Sequence, residues 1–251
     1  MLFKNKSTSN PLGIGLKAGD EHYRAYVGPP HDYDLISAMV FNLLTSLGLR
    51  QHHRVLDIGC GSLRIGRLLI PYLNQGNYFG VEPNRWLVND GIKNETGRNL
   101  INIKKPTFCF DVEMQEFNQS LNIDYAIAQS IFSHCGKDLI THWLKLSANH
   151  LADNGALLAT FVLDEQDFEG DGWVYPHCVK YKTETIASLA DECDLGFQVL
   201  DWKHPRQVWA LFSKKDYDQS LCSNGNITWN HLVTQLLNQT SEPGKTVKSQ
   251  S

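Results

Sequence analysis

One segment constrains this chain more than any other: Val55-Leu56-Asp57-Ile58-Gly59-Cys60-Gly61-Ser62-Leu63-Arg64-Ile65-Gly66. A short apolar run stops at two closely spaced glycines, and apolar residues then resume at helical spacing. The pattern predicts a buried strand, a tight turn and a helix, which is the opening unit of a parallel α/β sheet. Glycines let the backbone turn sharply and let a ligand approach it closely. In an open parallel sheet such a turn lies beyond the carboxyl ends of the strands, where ligands bind.

The rest of the chain repeats the alternation. Apolar runs at 54–58, 78–81, 107–110, 123–128 and 156–163 predict five strands, and runs at 197–202 and 207–212 are close enough to form a closing hairpin. Helical patterns fall at 35–47, 63–73, from about Asn84, at 137–150 and at 183–193. Strands between helices predict a Rossmann-like three-layer α/β sandwich, with a seven-stranded, mostly parallel sheet carrying one antiparallel strand. Residues 1–34 read as an N-terminal arm ending in an aromatic lid, 35–215 as the folded domain, and 216–251 as a polar tail with a short helix around 227–237 and a fraying end. With 251 residues, of which 42% are hydrophobic, one domain with a sizeable core is enough.

Two ligands compete for the glycine turn. A dinucleotide site wants G-x-G-x-x-G at a helix N-terminus that faces a pyrophosphate, and here Arg64 stands in the third glycine's place. Asp57, two residues before Gly59, would repel a pyrophosphate but suits a cationic amine. The second strand also ends on an acid, Glu82. In the plain structural alternative, the glycines serve only a turn and the two acids only cap helices.

The segment resembles motif I of class I S-adenosylmethionine (SAM)-dependent methyltransferases, and Phe79-Gly80-Val81-Glu82-Pro83-Asn84 is similar to their motif II. The likeness spans about residues 50–215. It implies that Asp57, Gly59, Cys60 and Gly61 hold the methionine end of SAM and that Glu82 accepts from the ribose hydroxyls. It also implies that Asp111 and Val112 hold adenine, and that Gln129 faces the methyl group. Leu63 departs from the pattern, which often has glycine there. Segments 56–73 and 78–87 look like bacterial methyltransferases of glycan or secondary-metabolite pathways. Many relatives close a lid over the donor, which makes Tyr23 and Tyr26 candidates against a reading as packing aromatics.

The implied reaction moves a methyl group from SAM to a small-molecule or short-peptide acceptor, most simply at oxygen, leaving S-adenosylhomocysteine (SAH). The alternatives are N-methylation or a SAM/SAH-binding module without turnover. Sulfonium chemistry needs alignment and often a base. His134, after the fourth strand, is the candidate base, ahead of His142. Trp173, Tyr175 and His177 after the fifth strand, with His204 and Arg206 in the last hairpin, are candidates to line the acceptor site.

Composition excludes other classes. The net charge of −4, with basic clusters no longer than pairs, argues against nucleic acid as the main substrate. No apolar run approaches a membrane span and the N-terminus lacks a signal core, so the expectation is a cytoplasmic protein without a membrane partner. The six cysteines form no Cys-x-x-Cys pair, so they read as reduced thiols and no zinc site is expected. In the acidic stretch 164–171, Phe168 stands where a calcium loop needs oxygen, and no metal is expected there.

Overall fold

The computed structural model describes residues 10–117 and 120–223. The expected helix at 227–237 and most of the polar tail lie outside the described residues.

Strand β1 (Val55–Ile58) forms where the sequence requires it, and its four residues are all buried. It pairs in parallel with β2 (Tyr78–Val81) on one side and β4 (Ile123–Ala128) on the other. Beyond β2 lies β3 (Thr107–Cys109), and beyond β4 lies β5 (Leu151–Leu163), both parallel. The hairpin of β7 (Gly196–Leu200) and β8 (Val208–Ser213) completes the sheet, with β8 antiparallel to both β5 and β7. The order is β3-β2-β1-β4-β5-β8-β7. An eighth strand, β6 (Lys180–Tyr181), extends beside the end of β5 and is too short to leave a pattern in the sequence.

Residues alternate between two cores, as the period of two in a strand demands. Leu56, Ile58, Ala126, Ala128, Leu157 and Phe161 pack on one face with Ile140, Leu144 and Ile186. Those last three come from α5 (Lys137–His150) and α6 (Thr183–Asp191). Val55, Tyr125, Ile127, Ala156 and Leu158 pack on the other face with Leu43, Leu44, Leu69 and Val88. These come from α1 (Tyr33–Ser46), α2 (Gly66–Tyr72) and α3 (Arg85–Gly91). The three-layer sandwich is therefore as expected, with one strand more.

The boundaries that moved have local causes. Helix α2 starts at Gly66 rather than Leu63 because residues 59–63 are spent on the turn, where Leu63 adopts φ +61 and is fully buried. The helix expected from Asn84 is three pieces: α3, a π-helical turn (Ile92–Thr96), and α4 (Arg98–Lys104) after Gly97 at φ +77. Strand β3 ends at Cys109, one residue early, and β5 begins at Leu151, which pairs with Ile123 across an irregular register. Among the described residues, no helix is long and apolar enough to cross a membrane.

Leu63 stands in a backbone region that costs a residue with a Cβ about 1–2 kcal/mol. Glycine pays no such cost. We expect Leu63→Gly to be more stable than Leu63→Ala by about 1 kcal/mol, reversing the usual order of the two residues, with both below wild type because a buried leucine is lost. Urea denaturation of the three proteins measures this.

Candidate functional site

The parallel strands β1 to β5 deliver their carboxyl ends to one edge of the sheet, and antiparallel β8 delivers its amino end there. The chain runs outward from β1 to β3 and returns to β4, so the order reverses between β1 and β4 and opens a crevice at that edge. Asp57, the glycine turn, Glu82, Gln129 and the 203–207 loop all reach this edge.

Gly59 and Gly61 take the left-handed conformation that residues with a Cβ rarely adopt, and a Cβ at either would crowd a neighbouring side chain. Gly59 has φ +69, and a Cβ there would lie 2.2 Å from Ile131 Cδ1. Gly61 has φ +52, and its Cβ would lie 2.7 Å from Val27 Cγ1. The amides of Gly59 and Cys60 both donate to Val81 O, at 2.8 and 3.1 Å, fastening the turn to the end of β2.

The two acids behave differently. Asp57 points to the α2 side of β1, and one of its oxygens accepts from the Tyr78 hydroxyl at 2.8 Å. Burial pushes its pKa up to about 7, against the lowering effect of the Tyr78 bond and of Arg64 nearby. Glu82 accepts from Gly61 N at 3.1 Å through one oxygen, and from Asn84 N and Nδ2, both at 2.8 Å, through the other. Burial raises its pKa and these bonds oppose the shift. The turn and the β2 end are thus one hydrogen-bonded unit, and Glu82 is more than a helix cap: the cap residue of α3 is Asn84.

At the next strand, Asp111 accepts from Glu113 N at 3.1 Å and Gln115 N at 3.2 Å, holding the turn that follows β3. Val112 beside it is exposed. His142 approaches Val112 O and Glu113, so it belongs to this corner and not to the end of β4.

The N-terminal segment crosses the glycine turn as a strap. Tyr23 donates to Glu95 Oε1 at 2.9 Å and packs edge-on against Tyr33, which makes it part of the strap's anchor. Arg24 pairs with Glu95 at 2.7 Å and with Asp34 at 3.2 Å. The π-helical turn carries Glu95 into this buried position. Val27 covers Gly61. Tyr26 lies between Trp86 and Tyr175, with ring centroids at 5.2 and 5.8 Å, and its carbonyl accepts from the Tyr175 hydroxyl.

On the other side of the crevice, His134 sits on a 3-10 turn (Phe132–His134) and is 6% exposed. Its Nδ1 lies 2.6 Å from His177 O. A carbonyl can only accept, so Nδ1 carries the proton and Nε2 holds the free lone pair. Burial lowers its pKa. Tyr175 and Trp173 flank its ring at 4.9 and 5.6 Å, and Trp173, 52% exposed, stacks on Tyr175. His177 contributes its carbonyl while its side chain is exposed. Arg206 pairs with Asp32, and His204 Nδ1 accepts from the amides of Arg206 at 3.2 Å and Gln207 at 3.0 Å.

Several residues in this edge were not singled out by sequence reasoning. Arg64 is 8% exposed and donates to Val27 O at 2.8 Å and to Gln129 Oε1. Gln207 bonds Ser133 Oγ at 3.0 Å, and Thr160 Oγ1 accepts from Ser130 N at 2.7 Å. Arg64 left a readable signal: an arginine between two leucine-like positions where the helix meets the sheet. The acidic loop is occupied internally, with Asp164 paired to Lys180 and Asp167 accepting from Lys182 N and Thr185. Among the described residues, no three His, Cys, Asp or Glu side chains gather as metal ligands.

No family model matches the sequence, and no curated protein matches it significantly. Solved structures do match the fold. The magnesium protoporphyrin IX methyltransferase of Synechocystis with bound SAM aligns at TM-score 0.58 and 13% identity, over 83% of this chain and 99% of that one. A SAM-dependent methyltransferase of Clostridium acetobutylicum aligns at TM-score 0.53 and 16% identity, over 73% and 92%. The 1,6-didemethyltoxoflavin-N1-methyltransferase of Burkholderia thailandensis, with its substrate and SAH bound, aligns at TM-score 0.53 and 15% identity, over 74% and 78%. The chain has the class I SAM-dependent methyltransferase fold.

The raised pKa of Asp57 makes a stability prediction. A carboxyl whose folded pKa lies above its unfolded value near 3.8 costs stability that sets in as pH rises from about 4 to about 7 and stays in full above. Asp57→Asn keeps an acceptor for Tyr78 and removes the charge. It should therefore be more stable than wild type at pH 8, by an amount on the order of 4 kcal/mol, and equal to it near pH 4. Denaturant midpoints at the two pH values test this.

Proposed function

We propose that this protein is a SAM-dependent methyltransferase acting on a small-molecule or short-peptide acceptor, most simply at oxygen. The observation that carries this reading is the pair of buried carboxylates on adjoining strand ends, Asp57 and Glu82, braced around a turn whose Gly59 and Gly61 take positive φ. A cation is the natural partner of a buried carboxylate whose pKa has been pushed up, and the amine of a methionine moiety supplies one. A pyrophosphate would meet like charge there.

The residues present fit the donor. Asp57 and the turn of Gly59, Cys60 and Gly61 would hold its amino-acid end. Glu82 would take a ribose hydroxyl on the lone pair that its three present donors leave free, and Asp111 and Val112 would border adenine. When bound, SAM supplies an activated methyl group on a positive sulfur. The strap and the Tyr26–Tyr175–Trp173 aromatics would exclude water and align the acceptor. His134, with Nδ1 committed to His177 O, presents Nε2 as the proton acceptor; its lowered pKa keeps it neutral at physiological pH. It would take the hydroxyl proton as the acceptor oxygen forms its bond to the methyl carbon and the carbon–sulfur bond breaks.

Calorimetric titration with SAH tests the first claim. Wild type should bind, and Glu82→Ala should bind at least about tenfold more weakly, a loss of about 1.4 kcal/mol. A folded wild type that ignores SAH would end the proposal. For the base, His134→Ala should cut turnover by about 10²–10⁴-fold with SAH affinity unchanged, once an acceptor is found by screening with labelled SAM. Full turnover in the variant would remove His134 from the mechanism.

A further inference from the structure

The edge between β1, β4 and β8 holds more hydrogen-bond donors than acceptors. Gln129 sits at the centre. Its Oε1 accepts from Arg64 Nη2, while its Nε2 donates to Ser130 Oγ at 2.7 Å and lies 3.2 Å from His204 Nε2. Because His204 Nδ1 already accepts two backbone amides, the proton of the neutral ring belongs on Nε2. Two N–H groups therefore face each other across 3.2 Å. Turning the Gln129 amide over only moves the conflict, because its NH2 would then face the Arg64 guanidinium, which has no acceptor.

Arg64 adds to the excess. It is buried and its Nε has no partner. Among the described residues it makes no ion pair, whereas the buried Arg24 has Glu95 and Asp34, and Arg206 has Asp32. A buried guanidinium stays charged and is costly to keep without a counter-ion. Asp57 is near enough to influence it but does not pair with it.

We propose that Arg64, with Gln129 and His204, forms a subsite for a carboxylate. Such a group offers two oxygens to the planar fork of Arg64, supplies the missing negative charge, and gives Gln129 NH2 and His204 Nε2–H an acceptor. Resting on the methyltransferase reading, the carboxylate has two possible sources: the methionine end of the donor, or a carboxylic acid on the acceptor. Arg206, suggested by the sequence for such a role, is neutralised by Asp32; the uncompensated charge is on Arg64.

Calorimetry on wild type, Arg64→Ala and Arg64→Lys decides the matter, with circular dichroism as the check on folding. The probes are SAH, its carboxamide, 5′-methylthioadenosine, and benzoate added to the SAH-saturated protein. If the donor supplies the carboxylate, Arg64→Ala should lose about tenfold to hundredfold in SAH affinity but nothing for 5′-methylthioadenosine, and wild type should bind the carboxamide as weakly as the variant binds SAH. If the acceptor supplies it, SAH should bind all proteins equally, benzoate should bind wild type, and Arg64→Ala should lose benzoate. Arg64→Lys, which keeps the charge without the fork, should fall between. Should Arg64→Ala fail to fold, the carboxamide comparison and benzoate binding to wild type still decide. SAH bound equally by all proteins, with its carboxamide equal to it and no benzoate binding, overturns the subsite while leaving the methyltransferase reading intact. A wild type that binds no SAH ends that reading instead, and benzoate binding to unliganded wild type and Arg64→Ala then decides the subsite alone.

Discussion

The pairing of β1 between β2 and β4 is the constraint on which the rest depends. It is the central ladder, buried on both faces, and its register aligns Asp57 with Gly80 and Ile127. Once that alignment is set, the ends of the neighbouring strands fall level and their polar residues meet at one edge. A shift by one residue would turn Asp57 to the α5 face and move Val55 and Ile58 out of their cores. The glycine turn, the Glu82 brace and the crevice all follow from the register of four residues.

The edge is built of two unlike halves. Around the turn, acceptors dominate: Asp57 and Glu82 are carboxylates in a buried setting. Around Gln129, donors dominate: Arg64, the Gln129 amide and His204. The two halves adjoin across the crevice where the strand order reverses. A ligand carrying an amine and a carboxylate close together, as an α-amino acid does, matches both at once, and an acid-bearing acceptor beside a cationic donor matches them separately.

The fold was legible because it rests on period and continuity. Apolar runs between helical patterns predict a sheet covered on both faces, although an unbroken apolar run does not tell which core Leu56 and Ile58 face and which Val55 faces. The turn and the two acids were legible for the same reason: they directly follow strands. What the sequence hid depends on distance in the chain. Nothing near residue 24 announces Glu95, and nothing near 64 announces Gln129 or His204, because those contacts exist only after the sheet assembles. The π-helical turn that carries Glu95 inward reads as ordinary helix. The tautomer of His134 was out of reach too, since it is set by the carbonyl of a residue 43 positions later.

The strap is fastened at two places. At Arg24 it is held by a buried pair with Glu95, joined by Tyr23, where surrounding protein limits screening by salt, and by an exposed carboxylate, Asp34. At Tyr26 and Val27 it is held by the bond from the Tyr175 hydroxyl, by ring contacts and by the charged bond from Arg64 to Val27 O. Tyr175 is also the ring that packs on His134. One phenol therefore joins the cover of the glycine turn to the wall beside that histidine, and neither can be repacked without the other.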